Sequence, residues 1–418
     1  MKTLKLMLRF FTKNPFLLLF VLLEMLLSLG LFVDQLGALQ YETYTYDMYK
    51  RSDLSRYDHF APELVSGLSD NPEDAQSVVL KDLYATEGVE AVGEISKISF
   101  WYESDYRQDP FNTRSSSLCL LTPSFFQSTP IELADGSWFD ETYERTAAVN
   151  VIAAGGEAER YRVGDIVSVM IVEDVFERTS AATINVRIIG VLAEPAFFPS
   201  LRVSGTLLTA SDLFSSSGGL IVSPTQENYE LLSPYLMYGS SDRCKLICYS
   251  ENLSGETLEQ SRANLRKWGI LTTPEEIISN SKEAIAKTLS KRFPMVLFFL
   301  IISAFSMIAS VIVTQMKMYR NNTIYYLCGA TPFRCFFLYS GVPITFIGLL
   351  AVGANLLRIA YIKINGLDIG IQNMAMVLNG TTVLILVLYF AVTVSVAILT
   401  SYYVFKRNTP AESYRKNK

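Results

Sequence analysis

His59 is the single histidine of this 418-residue chain, which leaves no histidine-based metal site and little room for histidine acid–base chemistry. Cys119, Cys244 and Cys248 form neither a Cys-x-x-Cys pair nor a Cys/His zinc pattern. Cys244 and Cys248 lie in Cys-Lys-Leu-Ile-Cys-Tyr, which reads as a strand. An extended chain would hold them about 13 Å apart, too far for a disulfide, so these thiols read as small buried hydrophobes. A G-x-x-x-x-G-K-[ST] phosphate loop is absent, and Gly155-Gly156 and Gly218-Gly219 lack the lysine and following helix, so both read as turns. A nucleophile elbow, an H-E-x-x-H helix and a G-x-G-x-x-G turn are missing as well. The abundant carboxylates read as a solvated acidic surface, not as a glycosidase pair. The sequence therefore offers no catalytic, cofactor-binding or metal-ligating set. Glu24 stands apart, because it lies inside an apolar run where an ionised carboxylate is costly. Two readings stay open for it: a contact lining a dimer interface or substrate path, or a carboxylate satisfied by helices of its own chain.

The elements that must position such residues are set by hydropathy. Half of the chain is hydrophobic and 18% is charged. The apolar residues gather at Phe16–Val33, Met295–Val313, Phe336–Leu357 and Val383–Phe405, each near the ~20 residues a helix needs to cross a bilayer. The expected fold is an α-helical membrane protein with four transmembrane helices and a large α+β extracytoplasmic domain inserted between the first and second spans. Short loops rich in Lys and Arg stay in the cytoplasm. Lys2, Lys5, Arg9 and Lys13, then Lys317, Arg320 and Arg334, then the basic tail from Lys406, all belong inside. Both termini are then cytoplasmic, in a multi-pass membrane protein. Lys282, Lys287, Lys291 and Arg292 fall on the outer side against this trend. They read as the polar face of a helix approaching the membrane. A cleaved signal peptide is the alternative for the first run, which is long for that role.

The boundaries that follow are a cytoplasmic interfacial helix at 1–14 and a first span at 15–35. The extracytoplasmic domain takes 36–293, with a β-rich insertion near 125–203. A second span at 294–316, a cytoplasmic loop at 317–335, a third span at 336–357, an external loop at 358–380, a fourth span at 381–405 and a tail at 406–418 complete the chain. The outer segment is strongly acidic although the whole chain is only −5, which argues against a nucleic-acid partner. Within it, strands are expected at Ile95–Tyr102, Ser117–Leu121, Ala147–Ala153, Ile166–Val172, Ile184–Leu192, Gly205–Leu208 and Lys245–Tyr249. Helices are expected at Pro62–Thr86, Gly255–Lys267 and Pro274–Arg292. Gly164-Asp165 reads as a turn and Gly190 as a bulge or a close backbone approach. Gly341 and Pro343 read as a bend in the third span.

Two stretches carry a family resemblance. Ala147-Ala148-Val149-Asn150-Val151, Tyr161-Arg162-Val163-Gly164-Asp165 and Val186-Arg187-Ile188-Ile189-Gly190-Val191-Leu192 follow one another as the strand, "hxxGD" turn and "VhGhh" strand of MacB-like periplasmic core domains do. Thr122-Pro123-Ser124-Phe125-Phe126 and Asp135-Gly136-Ser137-Trp138-Phe139 resemble the segments leading into that core. Ile324-Tyr325-Tyr326-Leu327-Cys328-Gly329-Ala330-Thr331 is similar to the "EIxIxKxxGAT" segment between the second and third spans of FtsX-like permeases. Asn321 and Asn322 stand where that segment has its acidic residue. Thr409-Pro410-Ala411-Glu412-Ser413-Tyr414-Arg415 is similar to the family's ending. Gly329 suits the end of a helix and Pro332 forbids its continuation.

The resemblance implies the permease subunit of an ABC transporter, a non-catalytic chain whose ATP is bound by a separate ATPase. Ile324, Tyr325, Tyr326, Leu327, Gly329, Ala330 and Thr331 would form the ATPase-coupling loop. The chain would pair with itself or with a second permease in the lipid bilayer, and an extracytoplasmic adaptor is an open partner. The implied activity is export or extrusion of a peptide, antibiotic or other amphiphile. A regulator of a cell-wall hydrolase of the FtsX type and an antimicrobial-peptide sensing or immunity component are the alternatives.

Overall fold

The computed structural model describes residues 15–62, 81–109, 115–122, 132–139, 148–174, 179–193, 198–199, 207–215, 219–238, 245–329, 331, 342–364, 377 and 380–407. The expected interfacial helix at 1–14, the bend at Gly341 and the tail at 408–418 lie outside them. The chain divides into two compact units, one of residues 1–40 with 286–418, the other of residues 41–285.

In chain order, helix α1 is Pro15–Arg51. Twelve strands follow: β1 Asp58–Pro62, β2 Val89–Tyr102, β3 Ser116–Leu121, β4 Leu133–Gly136, β5 Val149–Ala154, β6 Ile166–Asp174, β7 Thr179–Leu192, β8 Phe198–Pro199, β9 Phe214–Ser215, β10 Gly219–Val222, β11 Lys245–Tyr249 and β12 Gly269–Thr272. Helix α2, Gly255–Leu265, lies between the last two strands, and α3 is Pro274–Lys287. A π turn, Thr288–Arg292, leads into α4, Phe293–Leu327. Helices α5, Val342–Ile364, and α6, Gly380–Arg407, complete the described chain.

α1 continues as helix some sixteen residues past residue 35, the expected end of the first span. No proline interrupts residues 36–51, and Ala38, Tyr41, Thr45 and Tyr49 recur at helical spacing on a buried face. Among the described residues, α1 makes with α3–α4 and α6 three helices long and apolar enough to cross a membrane. α5 adds an apolar stretch at Thr345–Tyr361. The core of this unit joins Val21, Met25, Leu29 and Phe32 of α1 to Leu300 and Met307 of α4, Ile347 and Ala351 of α5, and Leu386 and Val394 of α6. Gly348 sets the approach of α5 to α6, since a Cβ there would stand 2.5 Å from Phe390.

The second unit is built on one ten-stranded sheet that closes on itself. β2 is long enough to serve two surfaces: its first half pairs with β11, and Ile95–Phe100 pairs with β3. From there β3 pairs with β10, β10 with β5, β5 with β7, β7 with β6, and β6 returns to Phe100–Tyr102 of β2. The result is a six-stranded barrel. Alternate residues fill it, including Ile98, Phe100, Leu118, Leu120, Val151, Val169, Ile171, Val186, Ile188 and Leu220. The strands of 149–192 close the barrel only with β2, β3 and β10, whose residues lie outside 125–203. A smaller core of Phe60, Leu83, Ile247, Leu265 and Leu271 packs the other branch, β12-β1-β11.

Local sequence explains the joints. Gly164 turns at φ +96° and donates to Ile188 O at 2.8 Å, while the Asp165 carboxylate accepts from Arg162 N at 2.8 Å. The register of β5 against β7 skips Ile189, so Gly190 follows a bulge. It also faces Gly136 across the β4–β7 pair, where a Cβ on Gly136 would lie 2.2 Å from Ile189 O. Bulge and close approach thus coincide.

Other expectations shift. Pro62 ends β1 instead of starting a helix, residues 81–85 are helical, and 63–80 lie outside the described residues. Residues 207–208 form no strand, and 201–206 are not described. The helix expected over Pro274–Arg292 changes to a π turn at Thr288.

Candidate functional site

The expected coupling segment begins as helix. α4 runs unbroken to Leu327, because 314–327 contains neither glycine nor proline, so residues 317–327 are not loop. Cys328 N donates to Ile324 O at 3.0 Å, closing the last turn, and Gly329 follows at φ +89° with open space around its Cα. This is the left-handed stop that glycine adopts without steric cost. Ile324, Cys328, Gly329 and Thr331 are exposed. The side chains of Tyr325, Tyr326 and Leu327, and all of Ala330, lie outside the described residues. Helix and glycine stop therefore present an exposed apolar side chain at a fixed position.

Glu24 meets a partner in its own chain: Ser306 Oγ of α4 donates to its Oε1 at 3.0 Å. Ser28 Oγ donates to the Glu24 carbonyl at 2.7 Å. Ser303 and Ser310, buried on the same face of α4 as Ser306, extend a polar seam through the apolar core. Interhelical contacts of this type fix helix register where packing against lipid cannot.

A second polar layer of this unit is one that the sequence reading does not contain. Asp34 of α1, 2% exposed, is ion-paired with Arg358 of α5, which also donates to Gly30 O at 3.3 Å. Thr382 Oγ1 donates to Gln40 Oε1 at 2.9 Å, and Val377 N to Gly37 O at 3.0 Å. The available signal was two opposite charges, each closing an apolar run at matching depth. Arg358 was assigned to an external loop, whereas it lies within α5.

In the second unit the ionisable groups brought together are structural. Asp58 of β1 receives Arg262 of α2 through Nε at 2.8 Å and a second guanidinium nitrogen at 2.9 Å, and burial holds its carboxyl above the usual carboxylate value. His59 is 1% exposed, lies 3.5 Å from Tyr49 Oη, and burial pushes its imidazole down to about 4. Such a ring is neutral at pH 7. Arg160 spreads over the Tyr102 ring at 4.5 Å and pairs with Asp105 at 2.7 Å. Among the described residues no three His, Cys, Asp or Glu side chains form a metal-sized group. Cys119 is buried and Cys248 half-buried, both as free thiols, while Cys244 lies outside the described residues.

No family model and no curated protein matches the chain. It is similar to the extracellular domain of the noncanonic ABC-type transporter YknZ from Gram-positive bacteria. That likeness has 13% identity and a TM-score of 0.27, and covers 49% of this chain and 87% of that one. It is also similar to the periplasmic region of MacB from Actinobacillus actinomycetemcomitans, with 12% identity and a TM-score of 0.30, covering 55% and 93%. The matched regions are an extracellular domain and a periplasmic region. At these scores the likeness assigns no activity, and the functional reading rests on the chain's own geometry.

Proposed function

We propose that this chain is the four-span permease subunit of an ABC transporter, with both termini cytoplasmic and residues 41–285 outside. It would couple ATP hydrolysis by a separate ATPase to movement of that outer unit, for the export or extrusion of a peptide, antibiotic or other amphiphile. The observation that carries the reading is the helical path from Pro274 to Leu327. It runs through α3, the π turn and α4 to an exposed end stopped by Gly329. A helix is stiff along its axis, so a push at Ile324–Thr331 is transmitted to α3 and not absorbed by a loop. The polar contacts of α1 with α4 and α5 would keep the spans in register as they tilt. A second copy or a second permease would complete a pair of ATPase docking ends, and an adaptor could extend the outer unit.

The test replaces Gly329 and Ala330 together by leucine in chains reconstituted with the ATPase partner. A side chain at φ +89° is strained, and the bulk alters the docking end. Permease-dependent ATPase activity should fall to the rate of the ATPase alone while membrane insertion is unchanged. An unaltered coupled rate would overturn the assignment.

A further inference from the structure

The basic residues that run against the charge pattern, on the outer side of the second span, find a use in the structure. Lys287 ends α3, and Lys291 and Arg292 lie in the π turn that follows. All three are exposed, and among the described residues neither Lys287 nor Lys291 has an ion-pair or hydrogen-bond partner, although Glu283 stands one turn before Lys287. In an α-helix of about 3.6 residues per turn, residue 292 would point well away from residue 287. The i→i+5 turn is wider, as Phe293 N donating to Thr288 O records. It brings positions four and five residues apart to the same side. The three cations therefore share one face.

Depth is fixed by neighbours in the same unit. The Phe293 ring lies 6.0 Å from that of Phe32, and Phe32 lies 6.2 Å from Tyr389. Asp34 comes two residues beyond Phe32, and Gln40 and Thr382 come about two turns beyond Phe32 and Tyr389, where α1 and α6 turn polar. Arg292, Lys291 and Lys287 lie one, two and six residues before Phe293 in the chain, which spans the same range of depth. Just below them Met295 and Phe298 are exposed, and Leu289 is exposed among them. Cations at the polar boundary with apolar side chains beneath match the headgroup and acyl chains of one amphiphile.

We propose that the Lys287–Lys291–Arg292 face, with Leu289, Met295 and Phe298, is a docking site for the phosphate headgroup of an anionic phospholipid in the outer leaflet. The leaflet assignment rests on the topology proposed above; the lipid site does not. Bound headgroups would supply the counter-charge that Lys287 and Lys291 lack among the described residues, and would hold the π turn at a set depth.

The full-length protein is purified and offered phosphatidylglycerol or phosphatidylcholine in neutral detergent, and retained lipid is read by native mass spectrometry and by the thermal shift each lipid gives. The wild type should prefer phosphatidylglycerol, and the triple variant K287Q/K291Q/R292Q should lose that preference by roughly fivefold per charge removed. A K282Q control, one turn and more above the layer, should keep it. Equal retention of both lipids by the wild type, or an unchanged preference in the triple variant, overturns the proposal. An equal thermal shift from inorganic phosphate alone overturns the lipid as the source. Leaflet is read separately, by labelling S290C in cells with an impermeant thiol reagent. Protection of S290C from outside reagent, with the lipid preference intact, sinks the topology and leaves the site standing.

Discussion

Among the described residues each unit of the molecule holds one buried aspartate paired with an arginine, and the two pairs solve different problems. Asp58–Arg262 sits on a sheet whose strands are already determined by alternating apolar residues closing on two cores. Asp34–Arg358 joins two helices whose apolar surfaces would pack as readily against lipid as against each other. Water drives the sheet unit together, because burying apolar surface is favourable there at about 25 cal/mol per Å². In the bundle that drive is weak, and a few directional contacts must select which faces meet. The same chemistry is thus an addition to a settled fold in one unit and a determinant of register in the other.

The largest expected effect separates these roles. Arg262→Leu leaves Asp58 buried and uncompensated, which typically costs about 3–5 kcal/mol. Replacing both partners by apolar residues should recover most of that loss. All three tryptophans, Trp101, Trp138 and Trp268, lie in residues 41–285, so tryptophan fluorescence during denaturation reports that unit alone. Arg358→Leu should leave that fluorescence transition in place while lowering the temperature at which the detergent-solubilised chain aggregates. In the bundle the apolar double replacement of Asp34 and Arg358 should recover thermal stability yet not permease-dependent ATPase activity. A shift of the tryptophan transition by Arg358→Leu as large as that by Arg262→Leu would erase the distinction.

Acid should act on the sheet unit through His59. His59 titrates near 6.5 in an unfolded chain and near about 4 in its buried site. The unfolded state therefore binds the proton first as pH falls, so the stability present above pH 6.5 is lost progressively down to about pH 4. The size of the loss is ~3 kcal/mol, from 1.36 kcal/mol per pKa unit. Asp58 contributes the opposite sign, because its carboxyl is held above its usual value. The informative quantity is the difference between wild type and His59→Phe. Between pH 7 and pH 4.5 the wild-type tryptophan transition should weaken more than that of the variant. Parallel pH profiles would show that His59 does not titrate as its burial dictates.

What the sequence made legible follows the same division. Strands with clear alternation, such as Lys245–Tyr249 and Ser116–Leu121, emerge within a residue or so of their bounds. β1 was missed because Asp58-His59-Phe60-Ala61-Pro62 reads as polar turn material. Its Asp58 is tolerated centrally only because Arg262, some 200 residues later, reaches it. β10 and β12 were missed because four-residue strands starting with glycine look like loops. Apolar runs locate the spans but not their helical ends, which continue in α1 and α4 until an actual breaker arrives. Gly329 was legible as such a breaker; the Asp34–Arg358 pair was not, since pairing across helices leaves no local pattern.

The smallest expected effect concerns Glu24, and it decides between the two readings of that residue. Ser306→Ala removes the donor to Oε1, and hydrogen bonds between membrane helices average about 0.6 kcal/mol, so the loss of thermal stability should be slight. Glu24→Gln keeps an acceptor for Ser306 and differs only in charge and in its added donor. If the contact within the chain is all that Glu24 makes, Glu24→Gln should perturb thermal stability no more than Ser306→Ala, and neither should change the oligomeric state in detergent. Should Glu24→Gln instead dissociate a dimer, or abolish coupled ATPase activity that Ser306→Ala leaves intact, the carboxylate charge must meet something outside this chain. The bundle's register would then extend across a second subunit.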